Sequence, residues 1–526
     1  MTRRQSDAQP GFMRAVLIGS LLALVSTSSQ GASPVALSPA TMARLGAVDA
    51  RFQSYNIEMV EVTGGFFWRP YRDQGKAVAP SNAGDIPPGM DSAMYAYRAP
   101  IDLAQARLRR LAAALGPAYL RVSGTWANST YFDDADAPVS RPPPGFKGVL
   151  TRRQWQGVIG FARAVDAKLV TSFAIGDGVR DARGVWTPTQ AERLIDATRA
   201  LGGEIAAAEF MNEPDLPALG GAPRFYDAAS FGRDVAVFRS FLERASAKTI
   251  LLGPGSIGAE TVSNDMLDSK DLLKAAGDAF DVVSYHHYGG ISPRCSHATL
   301  SAAARDRQAL SEDRLSGADR AQSFYAPLRD ALAPGKPLWI TETADAACGG
   351  NPWDSTFLDS FRYLDLLGRM ARRGVEVVMH NTLAASDYGL LDERDFTPRP
   401  DYWAALLWRR LMGTTVLEAG APLVRGLHLY AHCLRGRPGG VALLAINLDR
   451  TTAQSLELPM PAVRYMLTAD HLTDARIRLN GRALALGADD GLPPLDGEAV
   501  AAGGIELPPA TIVFLATTDV ENPACR

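Results

Sequence analysis

Ile205-Ala206-Ala207-Ala208-Glu209-Phe210-Met211-Asn212-Glu213-Pro214-Asp215 is a short apolar run that ends abruptly in polar residues. It shows no clean alternation of apolar and polar positions, as expected of a parallel strand covered on both faces. Comparable runs occur upstream at Tyr55–Val62, Tyr119–Gly124 and Lys168–Ile175. Downstream they recur at Thr249–Gly253, Phe280–Tyr285, Pro337–Thr341 and Glu376–Thr382, making eight in all. Amphipathic helical patterns lie between them. Ile101–Ala118 carries Leu108, Leu111 and Leu115 on one face, and Thr151–Ala167 carries Trp155, Val158, Ile159 and Ala162. Ser355–Arg373 repeats the pattern with Phe357, Phe361, Leu364 and Leu367. Eight strands alternating with helices predict an α/β fold, a (β/α)8 TIM barrel over residues 55–413. A doubly wound open sheet is the competing architecture, but no glycine-rich dinucleotide fingerprint follows the first strand.

Beyond Gly413 the helical period disappears. Leu427–Leu434 and Val441–Leu448 are strand-like, and Arg476–Leu479 and Ala483–Leu486 flank Asn480-Gly481, a strong hairpin signal. Thr511–Leu515 closes the series. Residues 414–526 therefore read as a smaller C-terminal β-sandwich, to which residues 33–54 are available to add an early strand.

The chain has 526 residues, 47% hydrophobic and 21% charged, enough for one large core and a smaller one. A net charge of −3 argues against attraction of the whole molecule to nucleic acid. At the N-terminus, Arg3, Arg4 and Arg14 precede the apolar run Ala15–Val25, and small residues follow to Ala32. This reads as a signal peptide over 1–32, starting at Met1 or Met13, with a run too short to span a bilayer comfortably. The expected product is an exported, secreted or periplasmic monomer without stable membrane insertion. Four cysteines, Cys295, Cys348, Cys433 and Cys525, suggest disulfides in such a chain, and spacing alone leaves three pairings open.

Asn212-Glu213-Pro214 stands where the fourth strand ends, and Leu338-Trp339-Ile340-Thr341-Glu342-Thr343 puts Glu342 at the end of the seventh. Catalytic groups of barrel enzymes project from those ends. Glycoside hydrolysis needs two carboxyl groups across the scissile bond, one protonated and one ionised. Glu213 as acid/base and Glu342 as nucleophile meet that need. His286 and His287 are adjacent on the sixth strand, so one faces the barrel and the other the helices. His287 is the one assigned to substrate binding. No carboxylate and histidine cluster completes a first shell in the sequence, so neither metal nor cofactor is expected.

Several ordered segments give the chain a more specific likeness. They are Tyr119-Leu120-Arg121-Val122-Ser123-Gly124-Thr125, the Asn-Glu-Pro turn, Leu252-Gly253-Pro254, Tyr285-His286-His287-Tyr288, Thr341-Glu342-Thr343, Cys348-Gly349-Gly350, Asp387-Tyr388-Gly389-Leu390-Leu391-Asp392 and Pro400-Asp401-Tyr402-Trp403. With them the chain resembles the heparanase-like β-glucuronidases, glycoside hydrolase family 79 of clan A. The resemblance implies retention at a β-linked glucuronide, with Glu213 protonating the leaving oxygen and Glu342 attacking the anomeric carbon. It implies contact of Asn212 with the substituent at the sugar's second position, and Tyr288 beside the nucleophile. Gly349, Gly350, Tyr388, Arg294 and Asn128 are further candidates for substrate contact, the glycines through backbone N–H groups. Arg121, a charge on a barrel strand, needs a carboxylate partner. The resemblance also supports a Cys433–Cys525 bridge. Cys295–Cys348 is plausible because both follow neighbouring strands.

The implied partner is an anionic glycosaminoglycan of the heparan sulfate type, cut internally along a groove whose basic side chains are sought among Arg69, Arg72, Lys76 and Arg294. The long excised linker of the mammalian heparanases has no counterpart in the short, proline-rich Asp133–Leu150, so a single active chain is expected. An exo-acting β-glucuronidase, a non-catalytic glycan-binding barrel and a metal-dependent hydrolase are the alternatives. Retention requires the two carboxyl groups about 5–5.5 Å apart.

Overall fold

The computed structural model describes residues 34–73, 91–258, 266–296, 307–420 and 426–526. The expected signal peptide and Lys76 lie outside them. Eight parallel strands close a barrel: Gln53–Glu58, Ala118–Ser123, Ala167–Ser172, Ile205–Glu209, Ile250–Ser256, Val282–Tyr288, Leu338–Ala344 and Val375–His380. Each pairs with the next, and the eighth returns to the first through Val378 opposite Gln53 and His380 opposite Tyr55. The first strand ends earlier than its apolar run. Glu58 and Glu61 form a reciprocal capping box, and Met59–Thr63 turns into a short helix.

The helices follow from their stripes and caps. Thr151 and Gln154 cap Arg152–Ala164 reciprocally. That helix buries Trp155, whose indole N–H donates to Thr198 of the helix Thr189–Ala200 at 2.7 Å. Asp227 caps Ala228–Ala245 through the Ser230 N–H.

Inside the barrel, side chains lie in layers. The lower layer is apolar, with Tyr119 tilted against Trp339 at 4.9 Å and Ala207, Leu252 and Val377 beside them. Two residues further along the strands the interior turns polar, at Arg121, Glu209, Ser284 and Thr341. The register between the sixth and seventh strands shifts there: Tyr285 faces Ile340, but His286 faces Glu342. Thr341 is the extra residue of this bulge, and both it and Glu342 reach the barrel interior. A bulge of this kind redirects a side chain where strict alternation would turn it outward.

Beyond the barrel, Met412–Leu417 leaves the helix Pro400–Leu411 directly, so antiparallel structure begins at Met412 rather than at residue 414. It pairs with Arg44–Ala47 on one side and Leu427–Leu434 on the other, within a nine-stranded sheet. A three-stranded sheet of Val35–Ala36, Gln454–Leu458 and Gly503–Leu507 packs against it. Leu456, Leu458, Ile505 and Leu507 share one apolar cluster with Leu429, Leu443, Val513 and Leu515. The segment before the barrel thus supplies a strand to each sheet. Asn480 and Gly481, both with positive φ, turn the hairpin between Arg478–Leu479 and Arg482–Ala483.

Cys433 is bridged to Cys525 and Cys295 to Cys348. Barrel and sheet meet through a buried polar cluster. Asp365 of the helix Phe357–Arg372 accepts from Tyr430 at 2.5 Å, contacts His428 at 2.6 Å and pairs with Arg369 at 2.6 Å. Among the described residues no helix is long and apolar enough to cross a membrane.

Candidate active site

The fourth strand stops at Glu209, and Phe210–Glu213 turns away from the sheet. Glu213 adopts a left-handed conformation, φ 48°, which disfavours a β-carbon and is held only where surroundings enforce it. Asn128 supplies the enforcement. Its side-chain amide donates to the Asn212 carbonyl and accepts from the Asn212 N–H, both at 2.9 Å. Asn128 itself is fully buried. The structure thus gives the Asn128 amide a positioning role on the turn before Glu213, beside its predicted contact with substrate.

Arg121 crosses the polar layer and joins the two strand ends. It pairs with Glu209 at 2.8 Å and Glu342 at 2.8 Å, and donates to the Asn212 side-chain oxygen at 2.8 Å. Glu209, below the site, also accepts from Thr341 at 2.7 Å. Glu342 is held on its other oxygen by the Tyr288 hydroxyl at 2.5 Å, and Asn381 donates to that hydroxyl at 3.1 Å. Tyr388 packs beside Tyr288 and Ala344, with its hydroxyl 3.4 Å from the Asn381 amide.

His286 stands between the two carboxylates, Nδ1 lying 3.1 Å from Glu213 and 3.8 Å from Glu342. Its Nε2 is 3.3 Å from Arg121. Arginine can only donate, so in the neutral ring Nε2 accepts and Nδ1–H points to Glu213. The assignment of His287 to the site is thus corrected. His287 faces the helices near Arg362 and Arg314, and burial with those cations lowers its pKa to about 3. The sequence held the signal: His286 is two residues from Tyr288 and shares its face.

An oxygen of Glu213, an oxygen of Glu342 and a nitrogen of His286 all lie within 4.8 Å of one another. Their acidities diverge. Burial and the Glu342 charge push Glu213 upward, against the hydrogen bond from His286. Burial would raise Glu342 too, but His286, Arg121 and the Tyr288 hydroxyl together take it below the usual carboxylate range. Of the two, Glu213 is therefore the one that holds its proton to higher pH, and Glu342 the one that ionises first. The three donor groups could in principle embrace a cation, but the Arg121 guanidinium already occupies that electrostatic position against Glu342.

Sequence reasoning missed Glu58. It sits at the end of the first strand, buried, and burial and Glu342 push its carboxyl well above the ordinary value. Gly124, φ 92°, leaves it room, since a β-carbon there would lie 1.5 Å from the Glu58 carboxylate. An acidic residue inside an apolar run carries no strand-end motif.

Of the remaining candidates, Gly349 and Gly350 have φ 79° and 91° in the loop after the seventh strand. The Gly350 N–H donates to the Ala346 carbonyl, so that donor is already committed within the loop. Arg294 covers the Tyr71 ring at 4.1 Å and pairs with Asp387 at 3.0 Å. Arg72 pairs with Asp392, and Arg69 donates to the Tyr95 carbonyl at 2.7 Å. The expected basic strip is therefore tied into neighbouring carboxylates and carbonyls at each of its three described members.

Comparison with known proteins places these features in context. Mouse heparanase is 28% identical over 490 residues, spanning 80% of this chain and 88% of its own length. Chicken heparanase is 35% identical over 280 residues, 49% of this chain and 50% of its own. No family model matches the chain. Among solved structures, a 4-O-α-L-rhamnosyl-β-D-glucuronidase from Fusarium oxysporum superposes with a TM-score of 0.62 at 14% identity, covering 91% of this chain and all of its own. That likeness is one of fold.

Proposed function

We propose that this chain, a glycosidase of the heparanase-like family, hydrolyses β-linked glucuronides within heparan sulfate-type chains with retention of configuration. The observation that carries the reading is the divergence in acidity across the short gap between Glu213 and Glu342. A gap within 4.8 Å favours direct attack, because an inverting pair stands about 6.5–9.5 Å apart to admit a water.

Glu213 gives its proton to the glycosidic oxygen as the bond to the anomeric carbon breaks. An oxygen of Glu342 forms an ester to that carbon. Glu213, now ionised, takes a proton from water, whose oxygen displaces Glu342 and releases the sugar. Arg121 and Tyr288 keep Glu342 ionised and oriented through opposite oxygens. Proton transfer from a positioned acid contributes about 10²–10⁴-fold to such a step. Asn212, fixed by Arg121 and Asn128, is assigned to the substituent at the second carbon. Export through residues 1–32 and action as a monomer complete the reading.

Digestion of heparan sulfate beside an aryl β-glucuronide tests it. Rapid shortening of the polymer, together with aryl release, is expected. Aryl release with single uronic acids freed from polymer ends would support exo action. Loss of neither substrate would refute the reading.

A further inference from the structure

Asn128 secures the catalytic turn at its front, on Asn212, and Asp215 secures it from behind. Asp215 is 1% exposed. Its carboxylate reaches across to the connection that follows the fifth strand, Ile250–Ser256. One oxygen accepts from the Ile257 N–H at 3.0 Å and from the Gly258 N–H at 3.3 Å. The other oxygen lies 3.2 Å from the same Ile257 N–H. The Asp215 carbonyl accepts from the Leu267 N–H at 2.9 Å. One residue thus binds that connection at two separate points.

The connection itself has little freedom. Ile257 packs with Tyr288, Ala344 and Tyr388 in one buried cluster, and Tyr288 donates to Glu342. Gly258, φ 86°, is seated on Tyr325, where a β-carbon would come within 2.9 Å of the hydroxyl. That hydroxyl donates to the Ser256 carbonyl at 3.3 Å. Between the anchors at Asn212 and Asp215, Glu213 keeps its left-handed φ of 48°, a conformation that persists only when its surroundings over-determine it. Asp215 also feels the acid/base directly. Burial and the Glu213 charge push its carboxyl up to about 7, against the N–H groups of Gly258 and Ile257 and the neighbouring His286.

We propose that Asp215 is a positioning residue of the reaction, holding the Glu213 carboxyl in line with the glycosidic oxygen by tying the catalytic turn to the connection beside Tyr288. The proposal rests on the glycosidase reading, with Glu213 as acid/base. Asp215 touches no substrate in this role. Arg121 and Tyr288 hold Glu342 independently of it. Loss of the tie therefore impairs delivery of the proton and spares the attack. A reacting group displaced by about 1 Å can cost about 10²-fold in rate.

Asp215→Ala, Asp215→Ser and Asp215→Asn test the role on a heparan sulfate hexasaccharide and on a nitrophenyl β-glucuronide. The quantity read is kcat/KM, which reports the reaction up to release of the leaving group. A sugar leaving group needs the proton, and nitrophenolate needs little. In Asp215→Ala the value should fall at least about tenfold on the hexasaccharide and less than about threefold on the nitrophenyl substrate. Asp215→Asn keeps an oxygen that can accept from both N–H groups. It should return the hexasaccharide value to within about threefold of wild type. A merely structural role would not separate the two leaving groups. Equal falls on both substrates, or an unchanged hexasaccharide value, would overturn the proposal. Should Asp215→Ala fail to fold, Asp215→Ser decides by the same criteria. A wild type inactive on both substrates would overturn the glycosidase reading and this role with it. An active wild type with an unselective Asp215→Ala would overturn the role of Asp215 alone.

Discussion

Arg121 brings a permanent charge into the middle of a barrel, at 0% exposure, where an uncompensated ion would be severely destabilising. Glu209 and Glu342 compensate it, and the consequence is chemical: the same guanidinium that is stabilised by Glu342 keeps Glu342 ionised. Glu213 is instead raised by burial and the Glu342 charge, against the hydrogen bond from His286. Glu342→Gln should lower kcat at least 10³-fold on every substrate. Glu213→Gln should lose about 10²–10⁴-fold on sugar leaving groups, yet far less on a nitrophenyl leaving group that needs little protonation. The pair titrates as a unit. Its raised member sets the basic limb of kcat/KM against pH above the usual carboxylate value, and its lowered member sets the acid limb below it. The basic limb should vanish in Glu213→Gln assayed on the nitrophenyl glucuronide; its persistence would assign that limb elsewhere. At this scale the two glutamates were legible because each terminates an apolar run. His286 was legible only through its parity with Tyr288. The committed amide of Asn128 was not, since the bond joins positions 84 residues apart.

At the scale of elements, loops after neighbouring strands carry the tethers. Cys295 and Cys348 follow the sixth and seventh strands, whose pairing brings the loops together. Cys433, in the strand Leu427–Leu434, holds the C-terminal turn Pro523–Cys525. This bridge closes a separation of 92 residues, for which chain entropy gives about 4–5 kcal/mol. Replacing Cys433 and Cys525 by serine should lower the free energy of unfolding by up to about that amount in urea titration. A loss under about 1 kcal/mol would mean that the tail is secured by its hydrogen bonds, such as those of Asn522 to the Pro39 and Met42 carbonyls. The eight strands were readable from buried, unalternating runs. The bulge at Thr341 was not, because it is a property of pairing between two strands rather than of either sequence.

Across the whole molecule, the junction of barrel and sheet turns on Asp365. Burial would raise its carboxyl, but His428, Arg369 and Tyr430 bring it below the ordinary value. Burial would lower His428, and Asp365 raises it instead. A depressed acid stabilises the fold above its unfolded pKa of about 3.9 and loses that contribution as pH falls through its folded value. A raised histidine contributes fully below about 6.5 and loses it as pH rises through its folded value. The junction is therefore complete between about pH 4 and 6.5. Asp365→Asn removes the carboxylate that Arg369, His428 and Tyr430 share, leaving Arg369 to Glu312 and Asp319. It should cost up to about 3–5 kcal/mol and should flatten the pH dependence of Tm below about pH 4 and above about 6.5. A Tm within about 2 °C of wild type would show that the junction is held by apolar packing instead. This contact was illegible beforehand, for Asp365 and His428 lie 63 residues apart in segments of different architecture.

The claim on which the rest depends is that Glu342 attacks the sugar directly while Glu213 supplies the proton. Proton NMR of an aryl β-glucuronide digest, read in the first minutes before mutarotation, tests it most directly. Direct attack followed by hydrolysis inverts the anomeric centre twice, so β-glucuronic acid should appear first and the α anomer only later. First appearance of the α anomer would mean a single displacement by water, and would contradict the account.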